Sequence, residues 1–256
     1  MFTRESKKRF VVLVAVAAFV FSFASLPGCI YVNAESSEPF EYKGKISLAS
    51  DLETKQYEAA NFSGVDVGAH FDVLITPGDD FSLVIDAEEK THKIMRVYVR
   101  NNVLDLGFSR SVRNPGDVRV KIVMPRLEYL STSGAADVQV RRGFEVDNLR
   151  LDSSGATEIN IDIDAGTMVA DLSGAAQVDI EGRGENLKLS GSGASEFNAK
   201  DFLLADADID LSGASDARVN VSNYLTLDLS GASNVRCERA PAKIYSDNSG
   251  LSDVDC

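Results

Sequence analysis

The stretch DLSGASNVRC, Asp228 to Cys237, sets Ser-Gly-Ala-Ser between two runs in which apolar and polar residues alternate. Leu225, Leu227 and Leu229 mark the first run; Val235 and Cys237 mark the second. Period-two alternation on both sides of a small-residue break reads as two short strands joined by a bend. The arrangement recurs. Aligned on Ser-Gly, copies stand at Ser133-Gly134, Ser154-Gly155, Ser173-Gly174, Ser192-Gly193, Ser212-Gly213, Ser230-Gly231 and Ser249-Gly250. The intervals are 21, 19, 19, 20, 18 and 19 residues. Self-similarity at such a period marks a solenoid, whose units bury their apolar side only by stacking. No repeat holds a helix-length stretch of 3.6 periodicity or a Leu/Asn signature. The reading is an all-β fold: a parallel β-solenoid of about seven coils, behind an N-terminal β-rich capping segment.

The bend column follows from stacking. Coils lie about 4.8 Å apart, so corner residues must be small. Gly134, Gly155, Gly174, Gly193, Gly213, Gly231 and Gly250 are expected to take a positive φ, which costs glycine nothing. Serine repeated in every copy does not mark one reactive centre. Both histidines, His70 and His92, stand outside the repeats, so no base is at hand for a serine nucleophile.

Two acidic columns flank the bend. Asp152, Asp171, Asp210, Asp228 and Asp247 stand two residues before the serine; Asp137, Glu158, Glu196, Asp216 and Asp253 stand four after it. Ser131, Ser190, Gln177 and Asn234 interrupt them. They read as a hydrated edge rather than as calcium ligands, since the calcium-binding nonapeptide repeat is absent. No cofactor is expected. Cys237 and Cys256 each follow a repeat serine by seven residues, so they occupy one core-facing position in adjacent coils. That spacing fits a disulfide, which an exported protein would form.

The segment before the repeat, 61–130, is β-rich without the repeat. Strands are expected at Phe71–Ile75, Phe81–Asp86, Met95–Arg100, Val103–Gly107 and Val118–Met124, with a helical turn near Glu88–Lys93. This segment is expected to join the first coil and hide its edge.

At the N-terminus, Arg4, Lys7, Lys8 and Arg9 precede an uncharged run from Phe10 to Ser25, then Leu26-Pro27-Gly28-Cys29. This reads as a lipoprotein signal peptide, residues 1–28, with Cys29 the acylated residue. Left uncleaved, the same run would be a membrane anchor. Residues 29–60 read as a tether. Cleaved without acylation, the signal peptide would give simple secretion; all three readings export the rest, and the expected place is the cell envelope, held at the membrane by its N-terminus, on the periplasmic face or the cell surface. The formal charge of −13 excludes a nucleic-acid partner, whose phosphates need a basic surface.

Phe62-Ser63-Gly64-Val65-Asp66-Val67, Phe71-Asp72-Val73-Leu74-Ile75-Thr76-Pro77-Gly78, Met124-Pro125-Arg126-Leu127 and then serial Ser-Gly-Ala-x-x-Val resemble the head GIN domain family of autotransporter-type adhesins, from about Tyr57 to Cys256. The Ser-Gly-Ser-Gly form of the repeat stands here only at Ser190–Gly193. The resemblance implies a β-solenoid in the envelope and offers no catalytic residues. The leading expectation is a non-catalytic lipoprotein that presents its solenoid for adhesion or to a glycan or surface ligand. The alternative is a structural protein, a homo-oligomer assembled through coil edges. An enzyme on acidic polysaccharides would need long basic loops, and the near-constant coil length leaves no room for them.

Overall fold

The computed structural model describes residues 52–256 except residue 114. The expected signal peptide, Cys29 and most of the tether lie outside the described residues. In chain order the elements are β1 (Leu52–Tyr57), β2 (Gly64–Val67), β3 (Asp72–Pro77), β4 (Ser82–Glu88), α1 (Glu89–His92), β5 (Met95–Arg100), β6 (Val103–Phe108) and β7 (Arg119–Met124). Then come β8 (Tyr129–Gly134), β9 (Asp137–Gly155), β10 (Glu158–Gly174), β11 (Gln177–Gly191), β12 (Glu196–Leu211) and β13 (Asp216–Leu229). The last are β14 (Asn234–Cys237), β15 (Lys243–Asn248) and β16 (Asp253–Asp255). The strands belong to one sheet, whose parallel part winds as a solenoid.

From β8 onward every strand pairs in parallel with its equivalent in the next coil, residue on residue. The core is a set of columns. Val73, Val138, Ile159, Val178, Phe197, Ala217 and Val235 form one; all are at most 3% exposed. Leu151, Ala170, Leu189, Ile209 and Leu227 form another. Fully burying one Val, Leu or Ile contributes about 1.5–3 kcal/mol. The columns therefore fix the register, because a one-residue slip would expose a whole set.

Two short strands per coil were expected. Each middle coil is instead one strand of 14 to 19 residues, carried past the places where alternation breaks. In β9 the chain exposes Arg141–Gly143 and again Asp147–Asn148 between buried residues. Each coil thus has three inward runs, shown in β9 by Val138/Val140, Phe144/Val146 and Leu149/Leu151. The first of these breaks absorbs most of the variation in coil length. β9 carries two more residues than β10 between the pairs Val140–Ile161 and Phe144–Ile163. β12 carries one more than β11 between Asp179–Asn198 and Glu181–Asp201.

The segment before the repeat adds two further parallel layers, laid down out of chain order. β2 lies between β6 and β8, and β3 lies between β7 and β9. Antiparallel β4 and β5 then cover β7 and β6, and β1 covers β4 along its length. Residues 52–57, which the sequence reading placed within the tether, are therefore part of the capping sheet. β1 buries little. Thr54 donates to Asp86 at 2.6 Å, and His92 ties β1 to α1 through the Glu53 carbonyl at 2.8 Å and the Tyr57 hydroxyl at 2.9 Å.

At the other end, β15 sets Ser246 and Asn248 beneath Leu227 and Leu229. The last described coil keeps Ile244 beneath Leu225 and Val254 beneath Val235 but is polar beneath Leu227 and Leu229. Cys237 and Cys256 are joined there, with Cα atoms 4.6 Å apart.

Candidate ligand-binding surface

The Ser-Gly corner holds the outward columns in place. All seven corner glycines have φ between +77° and +105°. The stacking adds a second demand. A Cβ on Gly193 would lie 2.6 Å from the Gly174 carbonyl oxygen, and one on Gly213 would lie 2.6 Å from that of Gly193. That approach lets the backbone ladder run through the corner. Ala175 N–H donates to Gly155 O, Ala194 to Gly174, Ala214 to Gly193 and Ala232 to Gly213, each at 2.8 Å.

The serine before each glycine contributes less than its repetition suggests. Its bonds to the preceding coil are long, 3.3 to 3.5 Å. The tighter hydroxyl contacts belong to the inward residue two after the glycine, a position the sequence reading passed over. Ser215 donates to Ser212 O, and Ser233 to Ser230 O, at 2.9 Å. Thr157 meets Ser153 at 2.6 Å, and Ser153 meets Thr132 at 2.9 Å. These hydroxyls are buried, so each needs such a partner. They are structural pins, and His92 is committed to β1.

The columns predicted to flank the corner are in register. Asp72, Asp137, Glu158, Gln177, Glu196, Asp216, Asn234 and Asp253 follow one another down the stack. Burial first, then the charges of Glu158 and Asp72, hold the Asp137 carboxyl above its ordinary range. The amides relieve such repulsion directly: Asn234 donates to Asp216 at 2.8 Å, Asn198 to Asp179 at 2.6 Å and Gln177 to Asp179 at 3.2 Å. On the other column Arg150 reaches both Asp152, at 2.8 Å, and Asp171, at 2.7 Å. Among the described residues no three carboxylate, histidine or cysteine side chains converge as a metal site requires.

Two open depressions lie on the early coils, one at the register break and one just after it. One, about 450 Å³, is lined by Gln139, Arg141, Arg142, Asn160, Asp162 and Asp179. The two residues by which β9 exceeds β10 thus lie at its rim. The other, about 580 Å³, is lined by Glu145, Asp147, Asp164, Arg183, Gly166 and Gly184. Arg183 reaches Asp164 across it at 3.0 Å. Amide, carboxylate and guanidinium groups at strand spacing can bond a ligand rich in hydroxyls; they contain no nucleophile–base pair.

Solved structures share this fold. One from Bacteroides fragilis, described as a putative adhesin, has a TM-score of 0.76 at 21% identity, with 81% of this chain and 97% of that chain covered. A second putative adhesin, from Parabacteroides merdae, has a TM-score of 0.69 at 17% identity, covering 80% of this chain and 95% of that chain. A structure from Parabacteroides distasonis described as a putative lipid binding protein has a TM-score of 0.63 at 14% identity, with 80% and 96% covered. No curated protein matches in sequence. The model of the family described as "Putative auto-transporter adhesin, head GIN domain" matches residues 61–241, and the chain belongs to that family.

Proposed function

We propose that this is a cell-envelope lipoprotein that binds a surface or glycan ligand through the outward side chains of its solenoid and catalyses no reaction. The observation that carries the reading is the outward register. Hydrogen-bonding side chains stand in fixed columns on a stack whose corners admit no side chain, so a ligand meets a surface already ordered. Membership of a family described as adhesins supports the same reading. In this proposal residues 1–28 direct export, Cys29 carries the lipid, and the residues after it tether the domain to the membrane.

Two measurements test it. Cys29→Ala should release the mature chain from the membrane fraction; retention after cleavage would defeat the anchor. Cells lacking the protein should adhere less to a carbohydrate-bearing surface than cells carrying it. Equal adhesion, with the protein shown by surface proteolysis to be exposed, would defeat the binding role.

A further inference from the structure

The large exposed apolar side chains among the described residues are Tyr98, Leu203, Tyr224, Ile244, Tyr245 and Leu251. Five of the six lie between Leu203 and Leu251, on an acidic protein with no tryptophan. Two of these, Tyr224 and Tyr245, share one face by register. Leu225 and Leu227 are buried, so Tyr224 and Thr226 point outward from β13. Tyr224 pairs with Asp206 on one side and Lys243 on the other; Thr226 pairs with Asp208 and Tyr245. Six side chains therefore form a grid three strands deep and two residues wide: Asp206 and Asp208, Tyr224 and Thr226, Lys243 and Tyr245. Asp210, Asp228 and Asp247 border it. The two tyrosines stand diagonally, with Cα atoms about 8 Å apart from strand spacing and rise. They are 49% and 59% exposed.

We infer that this grid is a saccharide platform, a site for an uncharged, hydroxyl-rich oligosaccharide whose rings lie against Tyr224 and Tyr245. The inference rests on the binding role proposed above and gives it a place and a ligand class. An aromatic face is electron-rich and attracts the polarised C–H face of a sugar ring. Carboxylates at Asp206, Asp208 and Asp228 accept from sugar hydroxyls in charge-assisted bonds, and Thr226 bonds in either sense. The same carboxylates repel a polyanion such as a uronic acid polymer. Lys243 Nζ sits 5.2 Å from the Tyr224 centroid, on one side of the ring, and adds a hydrogen-bond donor to the grid. A dry protein interface would bury these carboxylates unpaired, which is unfavourable. The Tyr224 backbone N–H donates to Asp206 Oδ1 at 3.1 Å, which ties β13 to β12 at this point of the grid.

The test titrates the full-length protein in detergent with neutral hexasaccharides of glucose, mannose and galactose, with oligogalacturonate and with polylysine. Isothermal titration calorimetry reads binding in the parent and in variants that lack these tyrosines alike. At least one neutral series should bind. Tyr224→Ala/Tyr245→Ala should weaken it about tenfold or more, while Tyr224→Phe/Tyr245→Phe keeps it, since the ring and not the hydroxyl is required. Circular dichroism should show the same β content in all three proteins. Neutral binding that survives the alanine pair overturns the platform and leaves the broader binding role standing. Selective binding of oligogalacturonate or polylysine overturns the ligand class. If sedimentation shows a dimer that the alanine pair dissolves, the face is an interface between copies and the inference fails. Loss of cell adhesion in the protein's absence, measured separately, distinguishes failure here from failure of the binding role.

Discussion

The Ser-Gly corner and the register break near Arg141–Gly143 are both turns of the same coil, yet they obey opposite rules. At the corner every coil presents the same glycine in the same place, with the carbonyls from Gly134 through Gly231 each accepting from the coil that follows. At the break, coils differ: β9 has two extra residues, β12 has one, and β13 has three fewer than β12 between Ala199–Val219 and Leu203–Asn220. The corner is held by backbone stacked on backbone, where any added atom meets a carbonyl oxygen. The break has no such common residue: Arg141–Gly143 face water in β9, Gly182 of β11 lies against the Ile163 carbonyl, and Phe202 of β12 is buried. Within this chain the corner is thus constant from coil to coil, and the difference in coil length falls to the break.

The corner should show the larger effect. Gly213→Val forces a β-branched residue to φ +82° and brings its Cβ to 2.6 Å from a backbone oxygen that cannot move without breaking the ladder. Strain and crowding together should cost about 4 kcal/mol. Asp216→Val, at an exposed position three residues on, should cost less than about 1 kcal/mol. Denaturant midpoints compare them; similar losses would mean the corner is not what holds the stack.

Deleting Arg141 and Arg142 should do much less. It gives β9 the length of β10, whose chain crosses the same break without them. The expected loss is below about 1 kcal/mol, because an exposed connection changes length at little cost. The same deletion at Ala135-Ala136 removes buried Ala136, whose carbonyl accepts from the Glu158 N–H, and leaves no residue to turn the corner between β8 and β9, so it should abolish folding. A large loss from the first deletion would show that the break is structural after all.

This division explains what was legible in the sequence. The glycine column and the alternating core could be read because each coil repeats them. The register break could not, since aligning on Ser-Gly shows only that coil lengths differ, not where. The exchange of layers that puts β2 between β6 and β8 leaves no local trace: both threadings satisfy the same alternation. β1 escaped because it is exposed along most of its length, so no apolar period marks it. The tyrosine grid was hidden for a related reason. Tyr224 and Tyr245 stand 21 residues apart, at different offsets from their serines, and register alone makes them neighbours.

The smallest effect concerns what the corner's rigidity does to charge. Because stacking fixes register just beyond the corner, Asp137 lies between Asp72 and Glu158, and burial with these two charges raises its carboxyl above the ordinary value of 3.8. The folded state therefore holds this proton more tightly than the unfolded chain. The carboxyl contributes no penalty below the unfolded value, and stability falls as pH rises through the raised folded value. Asp137→Asn removes that penalty and provides an amide donor, as Asn234 does for Asp216 two coils from the end. The site is largely exposed, so solvent screens the effect, and the expected gain at neutral pH is about 1 °C in Tm. The gain should shrink on acidification and vanish once the unfolded carboxyl is protonated. Melting curves at neutral pH and in acid, run on both proteins, decide it. A variant less stable than its parent at neutral pH would mean that the column is held by something other than its amides and screening by water.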